Sequence, residues 1–192
     1  RRDMTKMSEK NKVFSTIFRG AGAYRHFIPS IVKSVISKEN FLTSYTPYQA
    51  ETSQGVLQSI YEYQTMIADI TGMDVSNASV YDGASAAAEA VAMCRERKRA
   101  KALISSLMHP DTISTIKTYC HGNGMEVEMI PEKDGVTDVE YIKAHADAAT
   151  ACVFVQHPNF YGNLEAAKEI ADITHEAGAK YVMSVNPISL GV

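Results

Sequence analysis

The sequence of 192 residues lacks several features that would assign it to a class directly. It has no block of basic residues, and its formal net charge is −3. It therefore gives no support for a nucleic-acid or membrane-surface partner. No apolar run reaches the roughly 18 residues that a membrane-spanning helix needs. Residues 1–14 are too polar for a secretory signal, so we predict a cytoplasmic protein.

Cysteine pairs and familiar catalytic motifs are also missing. The three cysteines, Cys94, Cys120 and Cys152, are far apart and form no CxxC pair. We expect free thiols that fill small core positions in a reducing compartment. The sequence contains no HExxH metal motif and no recognisable triad order. A Schiff-base lysine should lie at the carboxyl end of a strand, but Lys101 and Lys180 lie at the starts of predicted strands.

The sequence does contain a regular alternation of extended and helical segments. This alternation predicts an α/β fold with a parallel or mixed sheet covered by helices. We assign residues 1–50 to an N-terminal arm and loop segment, and 51–192 to the first part of a large α/β domain. The predicted strands are 102–107, 125–130, 151–156 and 180–186, and the predicted helices are 29–38, 54–71, 84–101, 111–122, 139–146 and 165–177.

Apolar spacing further predicts which helix faces are buried. In the helix that Pro29 opens we expect a buried face of Ile31, Val32, Val35 and Ile36. In the helix from residue 54 we expect the buried face to comprise Val56, Ile60, Tyr63, Ile67 and Ile70.

A tight turn, Asp82-Gly83-Ala84-Ser85, leads into the alanine-rich helix. Free amides at a helix N-terminus bind phosphate well, and glycine allows close backbone approach. This pattern predicts a phosphate site. The alternative is that Asp82 or Ser85 only caps the helix.

Two His-Pro corners follow predicted strands. His109 comes after the first strand and His157 after the third. Ligands of open α/β sheets bind at the edge formed by the carboxyl ends of the strands. His109 could stack on a planar cofactor or carry a proton there, or it could be an ordinary surface-loop histidine.

The stretch NFLTSYTPYQAETSQG, residues 40–55, is polar and aromatic, with no apolar run. Either it is a solvated loop, or its side chains line a site for a polar ligand. The candidate site residues in it are Tyr45, Thr46, Tyr48, Gln49 and Glu51.

Together these segments resemble a known family. The runs GAGAYRHFIP, YTPYQAETSQG, YQTMIADITGMDVSNASVYDGASAAAEA, HPDT and SVNPISLG occur in order between residues 19 and 192. They are similar to subunit 1 of the two-subunit bacterial glycine dehydrogenase (decarboxylating), the P-protein of the glycine cleavage system. The resemblance implies an aminotransferase-like, fold type I pyridoxal phosphate enzyme. Its large domain has three layers and a mostly parallel central sheet, and we expect this chain to be a truncated form of it.

The resemblance also implies a division of labour within a heterotetramer. Subunit 2 would hold pyridoxal phosphate covalently, with none expected on this chain. The complex would decarboxylate glycine and pass the aminomethyl group to the lipoyl arm of H-protein. Asn186 stands where cofactor-holding relatives carry an aspartate, so the 82–85 turn would be a vestigial cofactor cradle. The 45–51 loop would line the shared active site, with Glu51 and His109 as proton-transfer candidates.

Two other interpretations remain open at this point. The chain could be a non-catalytic scaffold, or it could be a self-sufficient pyridoxal phosphate-dependent aminotransferase or lyase. A homodimer of the chain is also possible, because an incomplete sheet exposes strand edges.

Overall fold

The computed structural model describes residues 1–16, 26–42 and 54–191. In these ranges the chain forms seven α-helices, six strands and two short 3-10 helices, at Glu39–Phe41 and Pro187–Gly191. The helices are α1 Arg2–Ser8, α2 Ser30–Ile36, α3 Gln54–Thr71, α4 Gly83–Cys94, α5 Pro110–Asn123, α6 Val139–His145 and α7 Ala167–Glu176. The strands are β1 Lys101–Ser105, β2 Glu126–Ile130, β3 Glu132–Lys133, β4 Val136–Thr137, β5 Thr150–His157 and β6 Lys180–Val185.

The four longer strands form one parallel sheet in the order β2-β1-β5-β6. Strand β5 is buried along its length except at Gln156, which is half-buried. Parallel sheets need helices on both faces. Here α4 and α5 cover one face, and α6 and α7 cover the other. The prediction of a mostly parallel sheet is confirmed. Strands β3 and β4 form a separate antiparallel hairpin.

Alternate residues of each strand face two different core clusters. On one face, Ile104 and Phe154 pack with residues of α4 and α5, including Val91 and Ile116. The other face forms a second cluster around α6 and α7, made of Leu103, Ile130, Ile142, Val153, Val155 and Ile170. The three cysteines are free and buried in the α4/α5 cluster, as predicted.

Helix α4 runs antiparallel to the strands. Cys94, its last residue, is buried in the same cluster as Cys152 near the start of β5, and Cys152 pairs with Lys180 at the start of β6. Twelve residues of helix extend about 18 Å, so the N-terminus of α4 lies toward the carboxyl ends of the strands. The fold thus brings the 82–85 turn to the sheet edge that ends in His109.

Two boundaries differ from the predicted ones. The alanine-rich helix ends at Cys94 and not near residue 101, because the chain turns at 95–100 with a bridge between Glu96 and Arg99. Helix α5 begins at Pro110, so its N-cap is His109 and not Asp111. Gly124 ends this helix in the left-handed conformation, and Gly178 follows α7 with φ of 70°.

The predicted buried faces of α2 and α3 are only partly present. Ile31 and Ile36 of α2 are 62% and 60% exposed, and Ile70 of α3 is 73% exposed. In α3, Val56 and Ile60 are half-buried as expected. Periodicity finds the apolar side of a helix, but it does not supply a neighbour to cover that side.

Candidate functional site at the carboxyl edge of the sheet

The site lies between β1 and β5, the two central strands, whose connections to the next strand run in opposite directions across the sheet. From β1 the chain passes through α5 to β2 on one side, and from β5 it passes through α7 to β6 on the other side. Strands β1 and β5 are neighbours, so their carboxyl ends flank a topological switch point. Open α/β sheets bind ligands at such a point. The segments that follow these two strands carry His109 and Phe160.

His109 is half-buried and held from three directions. Its backbone N–H donates to Oε1 of Gln156 over 3.0 Å, and its Nδ1 accepts from the N–H of Asp111 over 3.2 Å. Its ring meets the ring of Phe160 edge to face, with centroids 5.3 Å apart. Because Nδ1 is an acceptor, the neutral ring carries its proton on Nε2. His109 lies at the carboxyl edge of the sheet, as the sequence analysis predicted.

Gln156 and Phe160 were missed by the sequence analysis. Gln156 of β5 joins the two strand ends because it accepts from the N–H of His109 after β1. Its Nε2 also donates to the carbonyl of Pro158 over 3.3 Å, just after β5. A single polar residue near the end of the otherwise apolar run ACVFVQ was the available signal. Phe160 lies in a loop of polar residues and gave no comparable signal.

The second His-Pro corner is not part of an open rim. His157 is only 8% exposed, and its Nδ1 accepts from the N–H of Glu165 over 3.2 Å. Its carbonyl accepts from the N–H of Asn186 at 3.4 Å. His157 therefore joins the segments around it.

At the start of α4, the Asp82 side chain accepts from the N–H of Ser85 over 2.7 Å. Bonds from Ser85, and a weaker one from Ala84, hold the pKa of the Asp82 carboxyl below its usual value. Capping by Asp82 is thus present in the structure, and it puts a negative group at the helix N-terminus. Phosphate binding by Asp82, Gly83, Ala84 and Ser85 stays a prediction.

Asn186 follows β6 and is half-buried. Its Oδ1 accepts from the N–H of Ile188 over 3.2 Å, and its carbonyl accepts from Ser189. Val182 of the same strand packs against the α4/α5 cluster, and strand alternation directs Asn186 toward the same face. This neutral amide therefore lies on the face that carries α4.

No lysine follows directly on β1, β5 or β6 within the described residues. Lys101 and Lys180 lie at strand starts, as predicted, and bond to Asp147 and Glu96. Lys98 lies in the turn between α4 and β1, and not on a helix as the sequence suggested. The described part of the chain also contains no cluster of His, Cys, Asp and Glu that could hold a metal ion. Across the same ranges, no helix is long and apolar enough to cross a membrane.

The loop residues Tyr45, Thr46, Tyr48, Gln49 and Glu51 lie outside the described residues. Their assignment to the site stays a prediction.

Comparison with solved structures defines the class of protein. The crystal structure of a glycine decarboxylase (P-protein) of the glycine cleavage system, in inhibitor-bound form, superposes with a TM-score of 0.88 and 38% identity. It covers 100% of this chain, which in turn covers 43% of that chain. A NifS-like protein superposes with a TM-score of 0.60 over 80% of this chain and 43% of its own, at 16% identity. The fold is that of the fold type I pyridoxal phosphate enzymes.

Sequence comparison then gives the family. The model of the glycine cleavage system P-protein family matches residues 1–192, and the chain belongs to that family. A probable glycine dehydrogenase (decarboxylating) subunit 1 from Halalkalibacterium halodurans is 52% identical over 176 residues, 91% of this chain and 39% of the relative. The Listeria innocua protein of the same name is 47% identical over 194 residues, 100% of this chain and 43% of the relative. The chain thus spans about two fifths of the length of these relatives.

Proposed function

We propose that this chain belongs to the subunit of a glycine-decarboxylating enzyme that carries no Schiff-base lysine. With a second subunit it would decarboxylate glycine and transfer the aminomethyl group to the lipoyl arm of H-protein. The observation that carries the proposal is the family match over residues 1–192. Relatives named subunit 1 support a partner subunit. We assign the complex to the cytoplasm as a heterotetramer.

The described residues do not fit a pyridoxal phosphate held by this chain. Asn186 is neutral and cannot keep a pyridinium nitrogen protonated as an aspartate would. Asp82 places a carboxylate at the N-terminus of α4, the predicted phosphate position, and like charges repel. We therefore assign the covalently held cofactor, which supplies the electron sink, to the partner subunit.

Residues of this chain would then wall the shared site. Loss of carbon dioxide leaves an electron pair on carbon that must reach the lipoyl disulfide before water protonates it. Exclusion of water and positioning of the disulfide are thus the needed contributions. We assign the wall to Tyr45, Thr46, Tyr48, Gln49 and Glu51. Glu51 and His109 are the proton-transfer candidates.

The test is glycine–bicarbonate carbon exchange with the full-length chain, subunit 2, pyridoxal phosphate and lipoylated H-protein, each omitted in turn. Exchange should require this chain. Tyr48→Phe and Glu51→Gln should lower the exchange rate, whereas the matched changes Tyr61→Phe and Glu9→Gln, at exposed positions, should not. If neither loop variant lowers the rate, the loop assignment is wrong.

A scaffold role is the second candidate, and the neutral Asn186 and the capped α4 N-terminus favour it. A scaffold would lose complex formation, and not turnover within the complex, when the loop is changed. The full-length subunit mixed with pyridoxal phosphate should give no visible absorbance that borohydride removes. Such a signal would instead indicate a self-sufficient pyridoxal phosphate enzyme.

A further inference from the structure

A buried carboxylate lies beside the carboxyl edge, in the segment between β5 and α7. Glu165 is 6% exposed, and its Oε2 accepts from the N–H of Thr137 over 2.9 Å. Its Oε1 accepts from Nδ2 of Asn159, also over 2.9 Å. Within the described residues no ion pair includes Glu165. Burying a carboxylate without a cation costs free energy. A carboxylate at this position therefore needs a structural or functional reason.

One route from this carboxylate passes through the loop after β5. Asn159 is 2% exposed, and its Oδ1 accepts from the N–H groups of Tyr161 and Asn163, each over 3.1 Å. These bonds close the loop around Phe160. The N–H of Phe160 donates to the carbonyl of Leu107 over 2.8 Å. Since the Phe160 ring packs on His109, the Asn159 bond fixes one wall of the histidine.

The other route passes through the β3–β4 hairpin. Thr137, whose N–H is held by Glu165, shares a hydrogen bond of 2.8 Å between its Oγ1 and Oγ of Ser105. Ser105 is the last residue of β1 and is 1% exposed. Its Oγ accepts from the N–H of Leu107 over 3.2 Å. Both hydrogen-bond paths therefore end on Leu107, one on its N–H and one on its carbonyl. Only Met108 separates Leu107 from His109 in the chain.

We propose that Glu165 is a positioning residue that fixes His109 and Phe160 at the carboxyl edge through its bonds to Asn159 and Thr137. Its relevance to catalysis rests on the proposed function, but its effect on His109 geometry does not. A carboxylate suits the position because both oxygens must accept, and a glutamine offers one acceptor and a donor.

The geometric test uses histidine NMR of the full-length subunit with 13C-labelled histidine. His109→Asn assigns the His109 ring resonance. Glu165→Gln should move that resonance and leave those of His121 and His175 unchanged. The matched control is Glu169→Gln on α7, since Glu169 is exposed and, among the described residues, bonds only to Lys143. This control should leave all three resonances in place. A His109 resonance that is unmoved in Glu165→Gln overturns the proposal.

A second variant keeps the test decisive if Glu165→Gln does not fold. The double variant Ser105→Ala/Asn159→Ala cuts both routes. It removes the Ser105 hydroxyl between Thr137 and Leu107 and the Asn159 amide between Glu165 and the loop, and it leaves the Phe160 ring and the carboxylate in place. It should move the His109 ring resonance. A resonance at the wild-type position in this double variant also overturns the proposal.

The functional readout is the exchange reaction in the reconstituted complex. A displacement of His109 by about 1 Å should lower kcat by about 10- to 100-fold, with little change in KM for glycine. If the resonance moves and kcat does not, positioning stands and the role of His109 in the reaction is wrong. If exchange does not need the chain at all, the proposed function fails while the NMR result still stands.

Discussion

The bond between Gln156 and the His109 amide gives the sharpest prediction about the site. Gln156→Leu replaces the amide with an apolar group of similar size. It leaves the N–H of His109 and the carbonyl of Pro158 without their partners at 3.0 and 3.3 Å. An unpaired buried group costs about 1–3 kcal/mol. Both groups here are part-buried, and water recovers some of that loss, so we expect a local cost of about 1–2 kcal/mol.

Amide hydrogen exchange of the full-length subunit measures this cost locally. Opening of the 107–109 segment exposes the His109 N–H, and about 1–2 kcal/mol corresponds to roughly 5- to 30-fold faster exchange. The control is Gln58→Leu on the exposed side of α3, where the side chain bonds only to Glu62 among the described residues. It should leave the His109 rate unchanged. An equal His109 rate in Gln156→Leu and wild type would refute the reasoning.

Two further predictions concern the elements that support the sheet. Gly124 and Gly178 both have positive φ, but a Cβ at Gly178 would lie 2.8 Å from Nη2 of Arg99, and at Gly124 it meets nothing within 4 Å. Gly124→Ala should lower the free energy of unfolding in urea by about 1–2 kcal/mol. Gly178→Ala should lower it by about 1 kcal/mol more, because Arg99 loses its bonds to two carbonyls. Equal losses would show that Arg99 relocates freely. The hydrogen bond from Lys101 lowers the pKa of Asp147 from 3.8 to about 2. The folded-state pKa is depressed, so the pair stabilises the fold above about pH 4, and this stabilisation is lost as pH falls toward 2. A carboxylate NMR titration should show a midpoint near 2 in wild type and nearer 3.8 in Lys101→Met, and equal midpoints would exclude the pairing.

The polar cluster at the amino edge differs in character from the carboxyl edge. Lys101 Nζ donates to the carbonyl of His145 over 2.7 Å and pairs with Asp147 over 2.9 Å. Tyr141 stacks on His145 with centroids 3.7 Å apart, and its hydroxyl donates to Glu128. Each of these polar groups has a partner close by. The cluster therefore joins the start of β1 to Glu128 of β2 and to the segment at the end of α6.

Elements with local signals were predictable. The strand runs are apolar and short, and turn glycines such as Gly124 and Gly178 mark helix ends. The Asp82 cap was foreseen as an alternative because donor and acceptor are three residues apart in sequence. The end of α4 was missed because alanine-rich sequence favours helix, whereas the turn at 95–100 is closed by the Glu96–Arg99 bridge.

The environment of His109 could not be predicted in the same way. Its partner Gln156 is 47 residues away in sequence, and Glu165 holds Thr137 across 28 residues. Such pairs become neighbours only when β1 and β5 are placed side by side. No window of sequence contains both partners, so no local pattern predicts the bond.

The sequence by itself determined the fold class, the family and the edge on which His109 lies. These follow from strand and helix periodicity, from the order of chain segments, and from long motifs that need no spatial information. The tertiary structure alone decided which side chains surround His109, that His157 is buried, and that behind the site lies a carboxylate with no cation partner among the described residues. Those features depend on contacts between distant segments, and packing of the parallel strands sets them.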